Sequence, residues 1–209
     1  MPLIRATLFI PLAVSGLLLM PRHAAAQIAV DGPPTPTAHT LSTWFQQHIP
    51  VKFQAHKRFE VQPLSNTGMD DYLHDCDADS DNAHSDNSDP GNNPEDDDSD
   101  IDGVFVDDPP QIVLRVPDSG QLDFYTFAHE YGHYVWFDVL SKDDRKRYKK
   151  LYEHQKSANH LITDYAAESV EEGFAEAFSY DINDPVALQH EDALSYQFLS
   201  RWAAPPPTP

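Results

Sequence analysis

Cysteine is almost absent from this chain of 209 residues, which contains a single one, Cys76. One cysteine cannot form an intramolecular disulfide framework or a cysteine-rich zinc module, so both classes of small stapled fold are excluded. Basic residues are also scarce, because 14 Lys and Arg stand against 34 Asp and Glu and the net charge is −20. Binding to nucleic acid needs a basic surface, so we expect no nucleic acid partner.

The acidic excess is concentrated in one segment. Residues 70–108 contain 16 of the acidic residues and no Lys or Arg, which leaves 18 acidic against 14 basic residues elsewhere. The segment has few apolar residues, so we expect a solvated, mobile insert. Residues 98–103 repeat the first half of a calcium loop, D-x-D-x-D-G, but Pro109 occupies the twelfth position, where an EF-hand has Glu. Weak calcium binding that orders the insert is the alternative.

Hydrophobic runs are short except at the N-terminus. Residues 1–5 carry positive charge, residues 6–20 are mostly apolar, and Ala24 and Ala26 fit an A-x-A cleavage site. This pattern predicts a signal peptide over residues 1–26, because the apolar run is too short to span a bilayer comfortably. We therefore expect a secreted protein, extracellular or periplasmic, with no membrane association after the signal is removed.

The rest of the chain is rich enough in apolar residues, 40% with 11% aromatics, to form a core. Residues 27–69 predict an extended lead-in, a short helix over 41–48 and one or two strands over 51–64. Residues 111–116 predict a strand, because Ile112, Leu114 and Val116 alternate. From residue 121 the pattern is helical with a break near 181–185, so residues 109–202 form the predicted core and 203–209 a proline-rich tail.

The strongest chemical signal is His129-Glu130-Tyr131-Gly132-His133. Two histidines at i and i+4 project from one face of a helix, so both imidazoles can reach one ion. Glu130 lies about 100° around the axis, beside the ion, where it can take a proton from water. A random sequence of this composition would contain the H-E-x-x-H pattern about 0.02 times. Gly132 inside the helix predicts a close backbone contact at that point.

A catalytic zinc site needs a third protein ligand and an open position. The spacing after His133 provides no third histidine, but a predicted helix over 165–180 carries Glu168, Glu172 and Glu176 four residues apart. Three like charges on one helix face repel each other, and a bound cation would relieve that repulsion. The residues themselves leave the choice among the three glutamates open.

These segments resemble a known family of metallopeptidases. The strand over 112–116, the sequence Phe127-Ala128-His129-Glu130-Tyr131-Gly132-His133, and Glu172-Gly173-Phe174-Ala175-Glu176-Ala177-Phe178 are similar to the catalytic domain of anthrax toxin lethal factor and to the secreted Pro-Pro endopeptidases. The resemblance covers about 70 residues, from 111 to 182. It implies an α+β fold, a compact zincin-like domain with a small mixed sheet, an active-site helix and a mostly helical C-terminal half.

The resemblance also implies residue roles of the gluzincin type. Zinc would be held by His129, His133 and Glu172, with Glu130 as the general base. Tyr165, seven residues before Glu172, would donate a hydrogen bond to the oxyanion. Glu176 would orient a ligand histidine, and the strand over 111–116 would be the exposed edge that holds a protein or peptide substrate in extended form.

Two functions are therefore weighed against each other. The first is a secreted zinc endopeptidase, and the second is a non-catalytic secreted metal- or calcium-binding protein with a structural zinc site. The first is favoured because a purely structural site has no need of Glu130 or of Tyr165. The oligomeric state and the cleavage preference do not follow from the sequence.

Overall fold

A computed structural model describes residues 28–30, 36–54, 59–80 and 101–203. The predicted signal peptide over 1–26, nearly all of the proline-rich tail, and the central part of the acidic insert with the first half of its calcium-like sequence lie outside the described residues. Within these residues no helix combines the length and apolar character needed to cross a membrane.

A four-stranded mixed sheet forms one layer of the molecule. Its strands are β1 (Ile28–Val30), β2 (Phe59–Leu64), β3 (Gly103–Val106) and β4 (Gln111–Arg115), in the order β1-β2-β4-β3. β1, β2 and β4 run parallel, and β3 runs antiparallel to β4. The predicted strand over 111–116 is thus present, and its alternation places Ile112 and Leu114 in the main core.

The position of that strand corrects one expectation. β4 was expected to be the exposed edge, but it lies between β2 and β3 and both its sides are hydrogen-bonded. The edge next to the predicted site is β3, which begins at Gly103. β4 is not the edge because the apolar run Val104-Phe105-Val106 forms an antiparallel strand beside it. This strand hydrogen-bonds to the backbone groups on the outer side of β4.

The two ends of the acidic insert are also more regular than expected. The sequence predicts a loop from residue 70 to residue 108, whereas helix α2 (Asn66–Ser80) extends into this segment and β3 lies near its end. Met69 and Leu73, one helical turn apart, are buried against Val113 on the second face of the sheet. This small apolar cluster holds α2 in place despite its acidic residues, so the sheet is covered on both faces.

Helices make up most of the remaining described chain. They are α1 (Pro36–His48), α3 (Phe124–Tyr134), α4 (Lys142–Ala158), α5 (Val170–Asn183), α6 (Pro185–Glu191) and α7 (Ala193–Ala203), with a π-helical turn at Val135–Val139 and a 3₁₀ turn at Tyr165–Ala167. The predicted break near 181–185 lies at Asp184, which ends α5 and caps α6 by accepting the Ala187 N–H at 3.0 Å. The predicted α+β class, with a small mixed sheet and a mostly helical C-terminal half, is confirmed.

Aromatic side chains dominate the main core between the sheet and the helices. Phe127, Tyr131, Tyr134 and Val135 form an apolar stripe along α3 and the start of the turn that follows it, and all four are buried. Tyr131 also satisfies its polar end by donating its hydroxyl to the Phe53 carbonyl at 2.8 Å. Burial of this stripe fixes the rotation of α3, so its opposite face carries the site.

Candidate metal centre

Helix α3 brings the two motif histidines together. Asp123 caps its N-terminus by accepting the Tyr125 N–H at 2.8 Å, and the helix continues without interruption through His133. The Nε2 atoms of His129 and His133 lie 3.2 Å apart, and their ring centroids are 4.9 Å apart. Both side chains are almost buried, with exposed fractions of 11% and 12%. The i, i+4 spacing therefore produces the convergence that the sequence predicts.

Helix α5 supplies a carboxylate to the same point. Ser169 caps α5 by accepting the Glu172 N–H at 3.0 Å, so Glu172 lies in the first turn. Its Oε2 is 3.1 Å from His129 Nε2 and 3.4 Å from His133 Nε2. Glu168 precedes the cap and is exposed, so it does not share the helix face that the sequence suggested.

A close contact between the two helices sets this spacing. A Cβ added to Gly132 would lie 2.8 Å from the Ala175 Cα and 3.2 Å from the Ala175 carbonyl oxygen. Only glycine allows the backbones of α3 and α5 to approach this far. The close backbone contact predicted from Gly132 is therefore present, and it lies next to His133 and within one helical turn of His129 and Glu172.

The three groups fit a tetrahedral metal ion. Their ligand atoms form a triangle with sides of 3.1, 3.2 and 3.4 Å. Zinc bonds of about 2.0–2.1 Å in a tetrahedron separate ligand atoms by about 3.3 Å, so the triangle matches one face and leaves the fourth corner open. Two imidazole nitrogens and one carboxylate oxygen also form the donor set of a known type of catalytic zinc site.

A second carboxylate orients His129. The Nδ1–H of His129 donates to Glu176 Oε1 at 2.8 Å, because an ionised carboxylate can only accept a hydrogen bond. This bond directs Nε2 toward Glu172 and His133. The other oxygen of Glu176 accepts the hydroxyl of Thr163 at 2.7 Å. Sequence reasoning missed Thr163, since a single threonine in a loop carries no periodic signal.

The carboxylates give the centre a strong preference for positive charge. Desolvation opposes charge on His129, yet its hydrogen bonds to Glu172 and Glu176 outweigh this and raise its pKa to about 9. Burial likewise opposes charge on Glu172, but hydrogen bonds to the two histidines hold its pKa well below the ordinary range. The same charges would favour a bound cation.

Glu130 lies beside this centre in a different environment. Its side chain is buried, and desolvation raises its pKa, while the charges of His129 and His133 act in the opposite direction. The backbone of Phe105 hydrogen-bonds to its carboxylate. Gly103 leaves room for it, because a Cβ there would lie 2.8 Å from Glu130 Cγ and 2.7 Å from Thr126 Cγ2. The edge strand β3 is therefore fitted closely against this glutamate.

Tyr165 lies at the opening of the centre. It begins the 3₁₀ turn, is 48% exposed, and its ring centroid is 5.8 Å from that of His129. Desolvation and the charges of Glu172 and Glu168 raise its pKa to about 12, so the hydroxyl keeps its proton at neutral pH. A cleft of about 520 Å³ is lined by Gly103, Glu130, His129 and Tyr165, among others. Three of the five predicted site residues, His129, Glu130 and Tyr165, thus line one cleft, and His133 and Glu172 lie directly against His129.

Comparison with known proteins shows a distant likeness in fold. No protein family model matches the chain, and no curated protein matches it. Among solved structures, the chain is similar to the Pro-Pro endopeptidase of Paenibacillus alvei, with 16% sequence identity and a TM-score of 0.48. The similarity covers 84% of this chain and 97% of that protein.

Proposed function

We propose that this protein is a secreted zinc-dependent endopeptidase that cleaves extended segments of proteins or peptides. The observation that carries the proposal is the buried carboxylate of Glu130 beside a convergent set of His129, His133 and Glu172. Secretion is inferred from the N-terminal sequence. Zinc held by these three residues would supply Lewis acidity, which activates water and polarises the scissile carbonyl.

Glu130 is proposed as the general base. A carboxylate of raised pKa is better matched to proton transfer near neutrality than an ordinary one. It would take a proton from the attacking water and deliver it to the nitrogen of the leaving amine. The backbone of Phe105 and the absence of a side chain at Gly103 would hold the carboxylate in the orientation this transfer needs.

Tyr165 is proposed as the donor that stabilises the oxyanion. Its hydroxyl stays protonated at neutral pH because its pKa is about 12, and the half-exposed ring borders the cleft. A donor in this position stabilises negative charge that develops only as the carbonyl is attacked. Loss of one such donor costs about 3–4 kcal/mol in other hydrolases.

The edge of β3 is proposed as the place where a substrate binds. The Asp102 carbonyl accepts the Arg115 N–H at 2.8 Å, and in an antiparallel pair the bonded positions alternate. The backbone groups of Gly103 and Phe105 therefore point away from β4, where the Phe105 N–H already binds Glu130 and Gly103 lines the cleft. An extended peptide could add to the sheet along this edge and present its carbonyl to the centre.

A digestion experiment tests the proposal. The protein without residues 1–26 should cleave members of a random peptide library, stop when zinc is chelated, and recover when zinc is returned. Glu130→Gln should lower kcat by about a hundredfold or more while the zinc content stays at one ion per chain. Glu153→Gln, an exposed position on α4, is the matched control and should retain activity.

Two results would contradict the proposal. One is full activity of Glu130→Gln, and the other is the absence of any cleavage by a zinc-loaded wild-type chain. The second result would favour the alternative function, a non-catalytic secreted protein whose zinc is structural.

A further inference from the structure

We infer that Thr163 is a positioning residue that couples the orientation of His129 to the placement of Tyr165. This inference rests on the proposed function and extends it to a residue outside the motifs. Thr163 Oγ1 donates to Glu176 Oε2 at 2.7 Å and accepts the Ala166 N–H at 3.0 Å. One hydroxyl therefore joins helix α5 to the turn that carries the tyrosine.

The first bond fixes the carboxylate that orients His129. Both oxygens of Glu176 are used, since Oε1 accepts from His129 Nδ1 at 2.8 Å and Oε2 accepts from Thr163. A carboxylate held at only one oxygen can rotate about its last bond, whereas one held at both cannot. Thr163 thus keeps Oε1 aimed at the imidazole and Nε2 aimed at the centre.

The second bond fixes the turn. Ala166 is buried directly after Tyr165, and its N–H is held by Thr163, whereas the tyrosine ring itself is 48% exposed. The position of the hydroxyl is therefore set by the backbone of the turn together with the hydrogen bond that the Tyr165 side chain makes to Glu172. The turn closes with the Ala167 N–H donating to the Asp164 carbonyl at 3.0 Å.

The bonds to Glu176 and to the Ala166 N–H are both made by the one hydroxyl of Thr163, which has a single hydrogen to donate. Its proton goes to the carboxylate, which cannot donate, and its lone pair receives the amide hydrogen. Serine can make both bonds in the same way. Valine has nearly the same shape as threonine but can make neither, so the pair of substitutions separates the hydroxyl from the packing of the side chain.

The first experiment measures zinc affinity by competition with a chelator, without any substrate. Thr163→Val should bind zinc about threefold to tenfold more weakly, since loss of a direct partner of a ligand histidine costs about 10–100-fold and Thr163 is one bond further away. Thr163→Ser should stay within about twofold of wild type, by the same reasoning. Ser141→Ala is the matched control, because Ser141 also accepts a backbone N–H, that of Asp144 at 3.1 Å, but at the start of α4.

The second experiment asks whether the effect passes through Glu176. In a Glu176→Gln background, Thr163→Val should cause no further loss of zinc affinity. Three results would each overturn the inference. Thr163→Val could lose the same zinc affinity in both backgrounds, Thr163→Val could bind zinc as tightly as wild type, or Thr163→Ser could bind zinc as weakly as Thr163→Val. Circular dichroism and thermal unfolding of every variant separate a local effect from loss of the fold.

The kinetic experiment tests the link to Tyr165. With zinc saturating, Thr163→Val should lower kcat and leave KM unchanged, and this loss should vanish in a Tyr165→Phe background. A wild-type kcat would overturn the link. The zinc-affinity measurements test the role of Thr163 even if the protein cleaves no peptide. Failure of the proposed function would abolish cleavage, whereas failure of this inference would leave zinc affinity unchanged in Thr163→Val.

Discussion

At the scale of single residues, the surroundings give neighbouring glutamates opposite properties. Burial raises the pKa of Glu130, whereas hydrogen bonds to two histidines hold the pKa of Glu172 low although burial opposes them. These opposite shifts suit the two roles proposed above, proton transfer for Glu130 and binding of a cation for Glu172. The sequence places both residues in the site, but only the contacts made across α3 and α5 create this difference.

Tyr165→Phe should separate catalysis from metal binding. Removing the hydroxyl should lower kcat by about a hundredfold or more, since one oxyanion donor contributes about 3–4 kcal/mol. The zinc content should not change, because His129, His133 and Glu172 would still supply three ligand atoms. Tyr125→Phe is the control, since that tyrosine lines the same cleft and is 43% exposed. Equal losses of kcat in both variants would contradict the role of Tyr165.

Asp181 should make the free energy of unfolding depend on pH. Burial raises its pKa from 3.8 to about 6, while the charge of Lys52 lowers it in part. The folded state therefore holds a proton that the unfolded state has released. The raised pKa of Asp181 therefore contributes to the free energy of unfolding. This stabilisation is fully present below about pH 4 and is lost as the pH rises through 6.

Chemical denaturation of wild type and Asp181→Asn between pH 4 and 7 measures this effect. One pKa unit corresponds to about 1.4 kcal/mol, so wild type should lose about 2–3 kcal/mol relative to the asparagine variant over this range. Asp118→Asn, at an exposed turn, is the control for charge removal alone. A difference between wild type and Asp181→Asn that is constant with pH would contradict the assignment.

At the scale of elements, the site depends on how closely α3 approaches α5. Gly132→Ala would place a methyl group 2.8 Å from the Ala175 Cα, which is backbone and cannot turn aside. The helices must separate, so the variant should be destabilised by about 1–3 kcal/mol and should bind zinc more weakly. Thermal unfolding and chelator competition measure the two effects.

Gly68→Ala is the control for that substitution. Gly68 lies in α2, and its added Cβ would meet the Ser65 hydroxyl at 3.3 Å, a side-chain atom that needs to shift by only a few tenths of an ångström. Alanine is the better helix former, so this variant should be as stable as wild type or more so. If Gly132→Ala behaves in the same way as the control, the close approach of the two helices does not set the metal centre.

The elements differ in how far the sequence predicts them. α3 could be predicted because its two faces have different chemistry, an aromatic stripe at helical spacing and two histidines opposite it. α2 was missed because acidic residues surround its two buried anchors, Met69 and Leu73, and its stability comes from contact with Val113. Only the Ser65 hydroxyl, which accepts the Gly68 N–H at 3.2 Å, signals its start locally.

Strand order is still harder to predict, because it depends on distant pairing. The segment over 111–116 has the pattern of a strand, but nothing in it says whether its sides are paired. The partner β3 is a four-residue strand near the end of the acidic insert, and Asp107 and Asp108 come directly after it. Its apolar residues gain stability by pairing with β4, and this pairing makes β3, which begins at Gly103, the edge of the sheet.

At the scale of the whole molecule, the metal centre joins parts of the chain that the sequence keeps apart. α3, α5, the turn at Tyr165 and the edge strand β3 all contribute to one cleft. Carboxylates meet there at close range, and an ion would neutralise them while linking α3 to α5. Binding of zinc and folding of the C-terminal half should therefore be thermodynamically coupled.

Zinc should raise the thermal stability of the protein in a concentration-dependent way. A ligand that binds only the folded state adds about 2.7 kcal/mol at a hundred times its Kd, and the melting temperature should rise accordingly. His133→Ala should abolish this rise, because one of the three ligand atoms is lost. His154→Ala, an exposed histidine on α4, should preserve it. Calcium at the same concentration should not reproduce the effect, since one carboxylate and two imidazoles form a poor calcium site. A rise that persists in His133→Ala would mean that zinc binds elsewhere on this strongly acidic chain.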